Sequence, residues 1–285
     1  MTRFSIVTIT WNAARALPRT LASVACQDYP HIEHLIIDGA SKDDTLAIAG
    51  QYKATSRHQV VITSEPDRGL YDAMNKGLQR ATGDYILFLN AGDTLHAPDT
   101  LQTVAQNIKA LSSTDNCQRP TDNNRQSTEN GQRPTGNAPG VVYGDTAITD
   151  SDGHFLHLRR LRPPEQLTWR SFRHGMLVCH QAFYARLDIA RTVPYNLHYR
   201  HSADVDWCIR IMKEADRLKL PLVNTHTVVA DFEEGGDTTQ HHRASLMERF
   251  QVMRHHYGLL TTVAMHVWFV LRQIKAKYLN NETPE

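Results

Sequence analysis

Tyr85-Ile86-Leu87-Phe88-Leu89-Asn90-Ala91-Gly92-Asp93 is the stretch whose reading decides the fold. An apolar run stops abruptly at Asn-Ala-Gly-Asp. A short, continuous apolar run bounded by turn residues reads as a strand buried on both faces, the kind found in parallel sheets. In open α/β sheets, ligands bind just beyond the carboxyl ends of the strands. A carboxylate at that point, with a glycine beside it to admit close approach, suits a hard divalent cation and a phosphate. The alternative is that Asp93 only ends the strand and caps a turn.

Upstream, the same alternation recurs. Residues 4–10 (FSIVTIT) form a β-branched run that predicts a first central strand, ended by Trp11-Asn12. A helix follows, with Pro18 near its start and Leu17, Leu21 and Val24 on one face. Residues 34–38 predict a second strand, ending in Asp38-Gly39-Ala40-Ser41. Ser41 with Asp44 three residues on resembles a capping box for a helix running to about Tyr52. A third strand over 60–64 leads into Glu65-Pro66-Asp67-Arg68-Gly69-Leu70-Tyr71-Asp72-Ala73-Met74-Asn75-Lys76-Gly77, whose last part is helical to Arg80. The Tyr85 strand and a helix over about 98–111 complete the pattern. Strands joined by crossover helices imply a largely parallel, doubly wound α/β sheet. Each strand ends in a polar residue, Asn12, Asp38, Asp67 or Asp93, so these side chains can converge along one sheet edge.

Bulk properties exclude several classes. The 285 residues can bury a sizeable core. A net charge of +1 gives no basic field for nucleic acid. The 4 cysteines, Cys26, Cys117, Cys179 and Cys208, contain no CxxC pair and read as free thiols in a reducing compartment. The N-terminus runs straight into a strand, so no signal peptide is expected. No GxGxxG or P-loop occurs, which argues against a dinucleotide dehydrogenase or a kinase. A sugar-1-phosphate nucleotidyltransferase is disfavoured, because Trp11-Asn12-Ala13-Ala14 stands where a glycine-rich phosphate loop would be needed.

Residues 112–140 break the pattern. They are rich in Gln, Asn, Ser, Thr, Pro and Gly, and the run Gln118-Arg119-Pro120-Thr121 returns as Gln132-Arg133-Pro134-Thr135. Such composition reads as a disordered, low-complexity insertion without a catalytic role, or else a partner-binding loop. Beyond it a strand at 141–145, a hairpin through Asp150-Ser151-Asp152-Gly153, a strand at 181–186, an amphipathic helix over 204–218 and a strand over 222–232 are expected. A helix starts at about His242. Residues 259–271 (LLTTVAMHVWFVL) precede Arg272, Lys275 and Lys277. This apolar stretch is too short to span a bilayer, which needs ~20 residues. It suits an in-plane membrane helix, or a C-terminal helix packed on protein.

The sequence resembles the GT-A fold, family 2 glycosyltransferases of the bacterial type that builds lipopolysaccharide or exopolysaccharide, including the colanic-acid type. The resemblance rests on residues 5–12, Asp38-Gly39-Ala40-Ser41-Lys42-Asp43-Asp44-Thr45, the Glu65–Gly77 run, Asn90-Ala91-Gly92-Asp93, His180-Gln181 and Ala203-Asp204-Val205-Asp206-Trp207. It implies one GT-A domain over 1–257, with a nucleotide-binding half (1–111), the insertion (112–140) and an acceptor half (141–257), then a basic amphipathic tail (258–285). It implies transfer, with inversion, from a nucleotide-diphosphate sugar to a hydroxyl of a glycan or lipid-linked glycan. The enzyme would work in the cytoplasm, including the inner face of the cell membrane.

The resemblance also implies roles. Thr10, Asn12, Asp38, Ser41, Asp67, Arg68, Gly69, Asp72, Asn75, Asn90, Ala91 and Gly92 would bind the sugar nucleotide, with Asp38 accepting a hydrogen bond from the base. The family's metal motif is Asp-x-Asp; here its first acid is replaced, leaving Asp93 as the main protein ligand for Mg²⁺ or Mn²⁺. His241 or His242 could add a ligand, although adjacent histidines are more often surface residues. The family's general base is the Asp of a Glu-Asp pair, which here reads Ala203-Asp204. Asp206 is the runner-up; side chains two apart on a helix do not share a face. Both acids could instead serve only the helix dipole. His180, Gln181, Gly235 and Gly236 would sit on the acceptor side. A non-catalytic nucleotide-binding or membrane-assembly relative is the alternative function.

Overall fold

The computed structural model of the chain describes residues 1–114, 138–234 and 242–280. Strands β1 (Phe4–Thr10), β2 (Ile32–Asp38), β3 (Gln59–Ser64) and β4 (Tyr85–Phe88) are parallel, in the order β3-β2-β1-β4. β1 and β2 are buried along their whole length, in keeping with their mainly β-branched and aliphatic content; the buried Glu33 accepts from Ser5 Oγ and the Thr82 and Gly83 amides. Helices α1 (Leu17–Ala25) and α2 (Thr45–Thr55) cover one face, packing Leu17, Leu21, Ala49 and Tyr52 against Ile36 and Val60. Helix α3 (Leu70–Arg80) covers the other, turning Ala73, Met74 and Leu78 inward. A Cβ on Gly77 would collide with Val7, so α3 lies as close to β1 as a glycine permits. Strand order reverses between β1 and β4, and a crevice at such a switch point is where ligands bind.

The second half extends this sheet. After β5 (Thr94–Leu95) and α4 (Thr100–Thr114) come β6 (Val141–Thr149), β7 (Phe155–Leu158), β8 (Phe183–Arg186), α5 (Leu187–Thr192), α6 (Ala203–Arg217) and β9 (Leu222–Glu233). Their order continues β4-β8-β6-β9-β5, with β7 a hairpin on β6. The four long ladders are parallel, whereas each antiparallel pairing joins only two or three residue pairs. The expected α/β sheet flanked by helices is therefore present, with antiparallel seams in its second half. Helices α7 (His242–Tyr257) and α8 (Leu259–Asn280) pack on each other and on the 3₁₀ turn Trp169–His174.

Several expectations shift. β2 begins at Ile32, and β6 runs on to Thr149 because it finds a long parallel partner in β9. Gln181 and Ala182 lie in a 3₁₀ turn, so the strand expected from 181 begins at Phe183. The Ser41–Asp44 capping box is not formed. Helix α2 begins at Thr45 with no side-chain bond from Asp44, because Ser41 Oγ is committed to Asp38. The low-complexity reading of 112–140 falls mainly on 115–137, outside the described residues; Ala138 and Gly140 are buried, and Tyr85 Oη donates to Pro139 O.

Candidate active site

The ends of β1, β2 and β3 meet around Asp38. Its carboxylate is fully buried and accepts from Thr10 Oγ1 (3.0 Å), Ser64 Oγ (2.7 Å), the Ser41 amide (2.9 Å) and Ser41 Oγ. Burial alone would raise its pKa. The hydrogen bonds from Ser41, Ser64 and Thr10 outweigh that and hold it below the usual carboxylate range. Among the described residues, the partners of the Asp38 carboxylate are therefore Thr10, Ser41 and Ser64. That carboxylate fixes the loop whose Ser41 Oγ accepts the Asn12 amide (2.8 Å) and whose Lys42 amide donates to Asn12 Oδ1 (2.9 Å). The polar group that faces outward here is Asp67. Its Oδ1 accepts the Gly69 amide (2.8 Å), and its Oδ2 lies where a Cβ on Gly39 would come within 2.5 Å. Trp11, 71% exposed, stands 3.4 Å from the same point.

Beyond β4 a second cluster forms around the 3₁₀ turn His180–Ala182. Gln181 Nε2 donates to Asp93 Oδ2 (2.8 Å). His180 Nε2 lies 3.2 Å from Asn90 Nδ2, and its Nδ1 lies 3.6 Å from Asp204 Oδ2. With Asn90 Nδ2 donating to Nε2, the ring proton sits on Nδ1 and faces Asp204. Tyr71 Oη donates to Asp204 Oδ1 (3.2 Å). Burial would raise the Asp204 pKa, but the His180 ring, the Arg249 guanidinium and the Val205 amide outweigh it and leave the carboxyl below its ordinary value. Its place in the first turn of α6 adds the helix dipole in the same direction. Asp204 is thus an ionised carboxylate, 18% exposed, at the mouth of the site.

Asp93 behaves oppositely. Burial pushes its carboxyl up to about 6, against the pull of Gln181, His180 and the Glu233 amide. The Glu233 carboxylate adds to the rise. Gly92 has φ +104°, and a Cβ there would sit 2.8 Å from Glu233 Oε2, so the missing side chain lets the end of β9 close on Asp93. Asn90 Oδ1 is buried with no hydrogen-bond partner among the described residues. Asp93, the neighbouring Glu233 and the unpartnered Asn90 Oδ1 offer only oxygen donors, the chemistry that Mg²⁺ or Mn²⁺ takes. A separate group of metal-competent side chains, Asp150, Asp152 and His154, lies on the exposed β6–β7 turn, where Asp150 Oδ1 accepts the amides of 152 and 154. We read it as a turn.

Other expected site residues are structural. Asn75 exchanges both amide bonds with the backbone of Tyr195 (3.0 and 2.7 Å), and Tyr195 stacks on Tyr71 (centroids 5.5 Å apart). Asn75 thus fixes Tyr195, on which Tyr71 stacks, and Tyr71 in turn donates to Asp204. Asp72 is occupied by the Arg68 amide and guanidinium (3.1 and 2.8 Å). Asp206, the runner-up base, is 2% exposed and bonded to His256 Nε2 (2.8 Å) and Arg210 Nε (2.7 Å), on another face of α6 from Asp204. Asp206→Ala is expected to destabilise the fold by about 3–5 kcal/mol, since it strands buried partners. Urea unfolding checks this; a stable variant without transfer would return Asp206 to the chemistry.

Gly235, Gly236 and His241 lie outside the described residues, and for His242 only its place at the start of α7 is described. Two residues escape sequence reading. Tyr71 reads as packing because nothing nearby in sequence announces Asp204, and Glu233 reads as a strand-end acid.

The profile of glycosyl transferase family 2 matches residues 5–189. A "PGL/p-HBAD biosynthesis glycosyltransferase" of Mycobacterium tuberculosis (strain ATCC 25177 / H37Ra) is 34% identical over 237 residues, covering 82% of this chain and 77% of the relative. Among solved structures, S. aureus TarS 1-349 in complex with UDP-GlcNAc superposes with TM-score 0.65 at 16% identity, over 88% of this chain and 64% of that one. The mannosyltransferase PcManGT from Pyrobaculum calidifontis, in complex with GDP-Man and Mn²⁺, gives 0.56 at 16% identity, over 93% and 74%. The two structures share the fold, and the chain spans less than two thirds of the TarS chain it matches.

Proposed function

The chain belongs to glycosyl transferase family 2, and on that premise we propose that it moves a sugar, with inversion, from a nucleotide-diphosphate sugar to a hydroxyl of a surface glycan or glycolipid. The observation that carries this reading is the hub at His180-Gln181, which ties the Asp93 side of the crevice to Asp204. Asp204, ionised and oriented by Tyr71 and His180, takes the proton of the acceptor hydroxyl. The oxygen so activated bonds to the anomeric carbon, and the nucleoside diphosphate leaves with the electron pair of the broken C–O bond. Water and acceptor compete for that carbon, so positioning by fixed groups matters as much as basicity.

Asp93 and Glu233, with Asn90 Oδ1, would hold the divalent cation. A bound cation neutralises the diphosphate. Trp11 offers a ring face for the base, and the free Oδ2 of Asp67 an acceptor for a ring N–H. That favours uracil- or guanine-bearing donors, whose Watson–Crick edges present a ring N–H. The reading is tested by following nucleoside diphosphate release from UDP- and GDP-sugars with Mn²⁺ across a panel of glycan acceptors. Release that needs both metal and acceptor is expected. Donor binding without release would favour the non-catalytic alternative.

A membrane surface is the second proposed partner. Among the described residues, no helix is long and apolar enough to cross a bilayer. In α8, Leu260, Val263, Val267, Leu271 and Ile274 recur at helical spacing and are 46–87% exposed. Residues 259–280 contain no Asp or Glu but do contain Arg272, Lys275 and Lys277. An exposed apolar stripe with basic residues suits in-plane binding to anionic lipid. Val267→Asp is expected to abolish co-sedimentation with phosphatidylglycerol vesicles. Unchanged pelleting would reassign the stripe to a protein partner.

A further inference from the structure

A cavity of about 530 Å³ opens between the start of α3 and the segment before α6. That is the size of a small-ligand site. Its walls are apolar and aromatic: Leu70, Leu197 and Tyr199, with Tyr71 among them. Tyr71 Oη is the group hydrogen-bonded to Asp204, so the cavity approaches the proposed base through one side chain. Its charged lining is Arg68, Asp72 and Arg200. The two guanidiniums are not equivalent. Arg68 is neutralised by Asp72 at 2.8 Å. Arg200 has its backbone amide fixed by Glu248 Oε1 (2.9 Å), while its guanidinium is exposed and forms no ion pair among the described residues. Of the residues that the resemblance assigns to the sugar nucleotide, Arg68, Gly69 and Asp72 line this space, whereas Asn12, Asp38, Asp67 and the metal-side Asp93 do not.

We infer that this cavity is the acceptor subsite, and that it takes an acceptor combining an aromatic or apolar group with an oxyanion, phosphate or carboxylate, captured by Arg200. The inference rests on the transferase reading and adds the acceptor's chemistry to it. Apolar walls favour burial of a ring or alkyl group. A planar guanidinium that forms no ion pair among the described residues, the cavity's Asp72 being held by Arg68, matches an oxyanion through two parallel hydrogen bonds. The acceptor hydroxyl then reaches Asp204 past the Tyr71 edge. A neutral sugar alone would leave the Arg200 charge unused.

The test is ligand-observed NMR titration of the full chain with phenyl phosphate, benzoate and neutral phenyl β-glucoside, with and without UDP plus Mn²⁺. At least one anion is expected to bind more tightly than the glucoside, and to remain bound when UDP is present. Which anion wins identifies the oxyanion as phosphate or carboxylate. Arg200→Ala is expected to weaken anion binding about 10-fold or more, with Arg200→Lys intermediate and the glucoside unaffected. Displacement by UDP would assign the cavity to the donor diphosphate and overturn the inference. So would equal binding of charged and neutral probes, or anion binding unchanged in Arg200→Ala. UDP-sugar binding is measured on the same samples by calorimetry. If donors bind and anions do not, this inference alone fails; if donors do not bind, the transferase reading fails with it.

Discussion

Asp204→Asn is expected to lower transfer by about 10²–10⁴-fold while leaving donor affinity within a factor of two or so. The asymmetry follows from where Asp204 sits. It is held by Tyr71 and His180 at the start of α6, whereas Trp11, Asp67 and Asp93, the groups proposed to face the donor, belong to other elements. The amide keeps the shape and one acceptor oxygen but cannot take a proton. Nucleoside diphosphate release read beside calorimetric donor binding separates the two effects. Equal loss of both would mean that Asp204 supports the site instead of acting in it. The wild-type carboxyl lies below its ordinary value, so Asp204 stays ionised until the pH falls below the usual carboxylate range. An acid limb in the rate profile near pH 6 therefore belongs to another group.

Asp93→Asn is expected to abolish metal-dependent donor binding and yet raise the melting temperature of the metal-free protein at pH 8. The folded-state value of about 6 stands above the ordinary 3.8, so the native protein binds this proton more tightly than the unfolded chain does. The burden is absent below pH 4, grows between pH 4 and 6, and reaches about 3 kcal/mol above that. Asn removes it at the loss of one hydrogen bond worth ~1 kcal/mol. A gain of about 2–5 °C at pH 8 should result, shrinking to nothing near pH 4. Mn²⁺ should stabilise the wild type and not the variant. A lower melting temperature at pH 8 would show that the carboxylate is structural.

Much of this architecture is legible in the residues. Largely apolar runs closed by turn residues mark β1 to β4, because strands buried on both faces in a parallel sheet are built mostly of aliphatic and β-branched residues. The 3.6-residue period marks α3 and α6, and that period alone sends Asp204 and Asp206 to different faces. What stays hidden depends on register between strands. Thr10, Asp38 and Ser64 are direct partners across β1, β2 and β3, and only that alignment reveals that the Thr10 and Ser64 hydroxyls both donate to the Asp38 carboxylate. Glu233 is hidden for the same reason. Its approach to Asp93 needs β9 to pair with both β5 and β6, contacts between segments far apart in the chain. Tyr71 is invisible because its partner is brought by a different helix.

The position of β8 between β4 and β6 has a consequence during synthesis. β4 pairs with β1 on one side, and its other edge is closed only by residues 185 and 186. A ribosome-bound chain that has emerged as far as residue 180 therefore carries a sheet with an unpaired, strongly apolar edge strand. Such edges recruit other strands, and at roughly 5–20 residues per second the exposure lasts several seconds. Fragments ending before β8 should accordingly aggregate or engage holding chaperones, and the two halves of this enzyme should not be separable into independently soluble pieces.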